Sequence, residues 1–99
     1  MYVIRNVMHC KPGMVKDLVK KFKEMDALMK KYSPGSKLRI LTDVSGERYW
    51  TAIMEIDTES VEKHEAEMSK AFQDPAMKSI GDYHTFVESG YRQVFKVAE

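Results

Sequence analysis

Residues 14–32, "MVKDLVKKFKEMDALMKKY", constrain the fold more than any other stretch of this chain. Met14, Leu18, Phe22, Met25, Met29 and Tyr32 recur at steps of four, four, three, four and three. Side chains at that spacing line one side of an α-helix, while lysines and acids occupy the other. A single helix cannot hide its apolar stripe against itself. It needs a second layer, and the flanking residues show what that layer is made of.

Ahead of the helix, "YVIRNVMHC" (2–10) is a β-rich run that stops at Pro12 and Gly13, residues suited to a turn and a helix entry. Behind it, "SPGS" (33–36) stops the helix. "KLRILTDV" (37–44) and "RYWTAIMEI" (48–56) then predict an antiparallel hairpin, with "SGE" between them and Gly46 available for a positive φ. A second helix follows, capped by Asp57 or Thr58, with Glu59 and Glu62 near its positive end and Val61, Met68 and Phe72 as its stripe. It runs to Pro75. Met77, Ile80, His84 and Val87 predict a further short helical segment, weakened by Gly81 and stopped by Gly90; "YRQVFKV" (91–97) is the last strand.

The order is therefore β-α-β-β-α-β with an added helical turn, the split βαβ plan of the ferredoxin-like α+β fold. That plan puts the first and third strands at the centre of a four-stranded antiparallel sheet and both main helices on one face. No linker or composition shift divides residues 1–99, so one domain is expected.

Strand alternation then assigns faces. Ile4, Asn6 and Met8 share the helix-facing side with Trp50, Ala52, Met54 and Ile56; Tyr91, Gln93, Phe95 and Val97 are assigned to it from the last strand. The second face receives Val3, Arg5, Val7 and His9, then Tyr49, Thr51, Ile53 and Glu55, then Arg92 and Val94. A solvated face would be almost wholly polar. This one mixes apolar and charged groups, as interfaces do, and predicts a two-fold homodimer packed sheet to sheet. Arg5 and Glu55 are expected to form an ion pair within it.

Sixteen basic residues against fifteen acidic ones, a net charge of +1, argue against nucleic acid as a partner. The single cysteine, Cys10, excludes an intrachain disulfide and reads as an apolar filler in a reducing compartment. The chain shows no basic leader and no apolar run of membrane-spanning length, so a cytoplasmic location without membrane contact is expected.

The strand order, "KPG" opening the first helix, "DPAM" after the second and "FVESGYRQVFKV" at the end resemble the dimeric α/β-barrel superfamily. That superfamily includes antibiotic-biosynthesis-type monooxygenases, heme-degrading monooxygenases and NIPSNAP-type proteins, and the closing "VESG" most resembles the last group. The resemblance implies two sheets closing one barrel, with a small-molecule pocket between helices and sheet in each subunit. Asn6 matches the asparagine on the first strand of the heme-degrading members. Trp50 stands near the start of its strand rather than the end, where those members carry a tryptophan, so heme degradation is not expected.

Asn6 under a helix layer must satisfy up to four hydrogen bonds, with the fold or with a ligand. His64, three residues after Val61 and four before Met68, is predicted to point at the sheet, and His84, four after Ile80, likewise. Inward histidines can serve as acid and base near neutral pH, or simply as satisfied core residues. Asn6, His64 and His84 are thus the candidate catalytic residues. Trp50, Tyr83, Phe22 and Met54 are the candidate ligand-binding ones, though aromatics at such spacing also serve as plain core. Tyr32 and Phe86 are further candidates for the cavity wall. No metal-ligand spacing, phosphate loop or nucleophile elbow occurs, so neither a metal nor a cofactor is expected. Three readings remain: a binder of a small apolar or aromatic molecule; a cofactor-independent monooxygenase acting on a quinol-like substrate; and an assembly or regulatory module whose sheet only pairs subunits.

Overall fold

The structure, a computed structural model, describes residues 1–46 and 48–98. β1 (Tyr2–Cys10) passes through a turn with Gly13 at φ 81° into α1 (Val15–Tyr32). β2 (Lys37–Thr42) and β3 (Thr51–Thr58) follow, then α2 (Val61–Phe72), the short α3 (Met77–Ile80), a 3₁₀ helix (Gly81–Phe86) and β4 (Val87–Lys96). The four strands form one antiparallel sheet in the order β2-β3-β1-β4, with β1 and β3 central as the split βαβ plan requires. The fold is the expected ferredoxin-like α+β one.

Its dimensions, 39 × 34 × 17 Å, are those of a two-layer slab. The core lies between the layers, where Leu18 and Phe22 of α1 are fully buried against Ile4, Ala52, Met54 and Ile56 of the sheet. Each of these side chains except the small Ala52 contributes about 1.5–3 kcal/mol by leaving water. Leu28, Ala71 and Ile80 form a second cluster that ties the end of α1 to α2 and α3. Met14, assigned to the α1 stripe, is exposed instead, because it precedes the first helical residue.

Several element boundaries differ from expectation. The hairpin strands are shorter: Asp43 Oδ1 accepts the Thr51 N–H at 2.7 Å, closing the ladder there, and Trp50 adopts φ 60°. Glu47, in the expected "SGE" turn, lies outside the described residues. Neither Asp57 nor Thr58 caps α2. Pairing with β1 keeps both extended, and the Ser60 hydroxyl accepts the Lys63 N–H at 3.2 Å. Phe72, assigned to the α2 stripe, is 58% exposed at the helix end.

The last strand differs most. β4 begins at Val87, and Gly90 sits inside it opposite Met8 rather than stopping a helix. A Cβ at Gly90 would lie 2.7 Å from the Val7 carbonyl oxygen and 3.0 Å from Met8 Sδ, so the close approach needs glycine. The register sets Arg92 opposite Asn6 and Val94 opposite Ile4. Arg92 and Val94 therefore share the helix side, and Tyr91, Gln93 and Phe95 the open side, the reverse of the sequence assignment. A slip of one residue exchanges the faces of a strand, and on this exposed edge hydrophobicity does not set the register.

Candidate functional site

Between the helices and the sheet lies a cavity of about 410 Å³. Its floor is Ile4, Asn6 and Met54, and α1 roofs it with Phe22, Met25 and Met29. α2 adds His64 and Met68; Tyr83 of the 3₁₀ helix stands at one end. Five methionines among the lining residues, Met8 included, give an apolar wall that can adapt to the shape of a guest.

Polar groups are few. Asn6 is half-buried at the centre of β1, and no hydrogen bond among the described residues engages its side-chain amide. Beside it on the floor, Arg92 reaches from β4 to α2, with Nη2 2.7 Å from Glu65 Oε1; both side chains are half-exposed, so this ion pair marks the mouth.

His64 is buried, with Nδ1 3.1 Å from Ser36 Oγ, and Ser36 Oγ lies 2.6 Å from Ser33 Oγ. Loss of hydration lowers its pKa; Arg92 adds to this, while Glu67 and Glu65 act in the opposite sense. The imidazole is thus neutral at neutral pH. With Nδ1–H donating to Ser36, Nε2 is a free base; with Ser36 donating, Nε2–H is a donor. Either tautomer suits a phenol, hydroxyl or carbonyl at the edge of an aromatic guest.

Of the residues singled out from the sequence, Asn6, His64, Tyr83, Phe22 and Met54 line this one cavity. His84 does not face it. It is exposed, with Nδ1 2.9 Å from the Gly81 carbonyl oxygen, because a 3₁₀ segment with three residues per turn does not continue the 3.6-residue stripe. It borders a smaller recess of about 380 Å³ that adjoins Asn6 and Arg92. Trp50 is also elsewhere: it immediately precedes β3 and lines a separate cleft together with the first turns of α1. Of the further wall candidates, Tyr32 instead donates to Asp74 Oδ2 at 2.6 Å, and Phe86 packs against the core.

Sequence reasoning missed Arg92, Glu65 and the two serines. The serines read as a helix stop, and Arg92 could have been placed only by noticing that Gly90 permits close packing against β1. Cys10 is buried and its thiol pKa is raised, first by burial and then by Asp43, which suits an inert filler. Among the described residues no three His, Cys, Asp or Glu side chains are grouped to hold a metal ion, and no helix is long and apolar enough to cross a membrane.

No family model matches the sequence, and no curated protein matches it. Solved structures do match in shape. A NIPSNAP-domain protein from Burkholderia xenovorans superposes with a TM-score of 0.81 at 17% identity, covering 99% of this chain and 95% of that one. A NIPSNAP family protein from Agrobacterium tumefaciens gives 0.84 at 13% identity, covering 99% and 86%. An antibiotic-biosynthesis-monooxygenase-like protein from Chloroflexus aurantiacus gives 0.72 at 17% identity, covering 99% and 94%. The chain thus has the fold of NIPSNAP-domain and antibiotic-biosynthesis-monooxygenase-like proteins along its whole length.

Proposed function

We propose that this chain binds a small, largely apolar or aromatic molecule in the cavity between helices and sheet, and does so as a homodimer paired through the open face of the sheet. The observation that carries the binding reading is the Asn6 amide. It faces a methionine-lined space without a hydrogen bond from the fold and is open to the cavity, so its donors and acceptor are free for water or a guest. A volume of about 410 Å³ fits one or two fused rings, a size at which protein pockets bury most of a guest.

Calorimetric titration with a panel of naphthols and naphthoquinols tests this. Saturable binding that weakens about five- to tenfold in Asn6→Ala, the loss of one or two hydrogen bonds, supports it. Equal affinity in the variant removes Asn6 from the site. The dimer rests on the slab's uncovered face, where Tyr91, Phe95 and Leu41 stand exposed around the ion-paired Glu55. A monomer in micromolar sedimentation runs would end it.

The neutral, buried His64 favours a second reading, a cofactor-independent oxygenase. There His64 takes a phenolic proton from a quinol while Asn6 orients the ring, and dioxygen is the oxidant. One quinol and one O₂ give a hydroxyquinone and water, so the substrate supplies the electrons. Oxygen uptake with the same quinols, lost in His64→Gln, distinguishes catalysis from binding; uptake unchanged in that variant rejects the role of His64.

A further inference from the structure

A second cleft, about 840 Å³, opens beside the first turns of α1, between that helix and the two ends of the hairpin connection at Thr42, Asp43, Tyr49 and Trp50. Its apolar surface comes from Val15 and Val19 on the helix and from Tyr49 and Trp50 on the connection. Lys16, Lys20 and Lys23 also line it from successive turns of α1, against one carboxylate among the described residues, Asp43, whose Oδ1 already accepts the Thr51 N–H. Large aromatic faces beside three ammonium groups form a surface of defined chemistry.

The aromatic wall is held in place at a cost. Trp50 has φ 60°, an unfavourable backbone region for a bulky residue, and its neighbours fix it there. The Trp50 carbonyl accepts the Cys10 N–H at 2.8 Å, and Asp43 and Thr51 clamp the base of the connection through two further bonds of 2.7 and 3.2 Å. With β3 beginning only at the next residue, Trp50 lines the cleft across from α1 and remains 44% exposed, while Tyr49 is 81% exposed.

We propose that this cleft is a second binding site, for a flat aromatic anion such as an aryl carboxylate or sulfonate. The rings lie against Trp50 and Val19, and the anionic group meets the lysines. Aromatic stacking and apolar burial supply contact area, and the excess of cations selects charge. The site is independent of Asn6 and His64 and stands whether or not the inner cavity binds anything.

Trp50 is the only tryptophan, so its emission reports the cleft directly. Selective tryptophan excitation is followed while biphenyl-4-carboxylate is added, with biphenyl-4-methanol as the uncharged control. The expected result is a saturable change with the carboxylate, weaker by about tenfold with the alcohol, and weaker by a similar factor in the Lys16→Gln, Lys20→Gln, Lys23→Gln triple variant, as for three exposed ion pairs. Added salt acts in the same direction. These exposed positions on the helix tolerate glutamine, and Asn6→Ala leaves the response unchanged. Equal response to acid and alcohol, unaltered affinity in the triple variant, no saturable response, or loss of the response in Asn6→Ala each overturns the proposal. So does Trp50 emission that shifts with protein concentration alone, which would mean that a second copy covers the cleft.

Discussion

The two faces of the sheet are built from alternate residues of the same strands, yet each treats its central polar row differently. On the open face the row reads Arg39, Glu55, Arg5, Gln93 across β2, β3, β1 and β4. Glu55, 5% exposed, is gripped by both arginines: Arg5 Nε lies 3.0 Å from Oε2, and Arg39 Nη2 bonds Oε1. On the helix face the row one step along reads Ile40, Met54, Asn6, Arg92. There Arg92 turns to Glu65, and Asn6 is left with no partner among the described residues. A polar row satisfied by its own neighbours is architecture, fixing the register of the strands that carry it. A polar group that faces a cavity with no partner from the fold is free to bond water or a guest, which is what the proposed binding reading requires of Asn6.

The sharpest way to break this contrast is to cut one aromatic from each face. Phe22→Ala empties a fully buried position and should destabilise the chain by about 3–5 kcal/mol in denaturant titrations. Tyr91→Ala, on the open side and 52% exposed, should cost the isolated chain less than about 1 kcal/mol, yet weaken self-association. Similar losses for the two at concentrations where the chain is monomeric would mean that the open face belongs to the subunit's own core.

Glu55→Gln is the next largest effect. It keeps the shape but leaves Arg5 and Arg39 without a counter-charge, and should cost about 1–2 kcal/mol, less than a fully buried pair because both arginines are partly solvated. In dilute solution the loss appears as a lower denaturation midpoint with unchanged slope. No loss would reduce the row to surface decoration.

The same contrast explains how far the sequence could be read. The helix stripe around Leu18, Phe22 and Met29 and the alternation of Ala52, Met54 and Ile56 report burial directly, and from them came the core; the strand order followed from the split βαβ plan, the inward placement of His64 from the α2 stripe, and the pocket from the family resemblance. β4 carries no such signal. As an edge strand exposed nearly throughout, it puts aromatics and arginine on either side without penalty, so its parity was legible only through its pairing with β1. Trp50 misled for a related reason. Its strand-like neighbours continue the β3 alternation, whereas the actual break depends on the Asp43 carboxylate across the hairpin, a contact with no local trace. His84 failed on periodicity, since one 3₁₀ turn shifts the face and nothing in "GDYHTF" distinguishes it from α-helix. Ser36 meets His64 only in three dimensions.

His64 gives a smaller and subtler test of the helix face. Its folded pKa is depressed, so the unfolded chain takes up its proton first as the pH falls. The stability that this histidine carries is complete above its unfolded pKa of about 6.5 and declines as the pH drops below it toward the folded pKa. Urea titrations across that window should show this slope in the wild type and lose it in His64→Gln. Ser36→Ala removes the hydroxyl at Nδ1 and should cost about 1 kcal/mol at neutral pH. A slope that persists in His64→Gln would assign it to other groups.

The smallest expected effect sets the two faces against each other in acid. Asp74, at the turn after α2, accepts the Tyr32 hydroxyl at 2.6 Å and the Ala76 N–H at 2.9 Å, and pairs with Lys31 at 3.1 Å; these bonds, led by that of Tyr32, lower its pKa from 3.8 to about 2. Glu55 is lowered as well, chiefly by its bond to Arg39. For both carboxylates the folded pKa lies below the unfolded one, so their contribution is present above the unfolded pKa and is lost as the pH falls through the folded value. Asp74 clamps the end of α1 to the helix layer, whereas Glu55 sits on the open face. Asp74→Asn should therefore flatten the stability profile between about pH 4 and pH 2 without touching self-association. Glu55→Gln should flatten the acid limb and weaken assembly together. If Asp74→Asn also shifts the sedimentation profile, the clamp reaches the pairing surface and the two faces are coupled through α1.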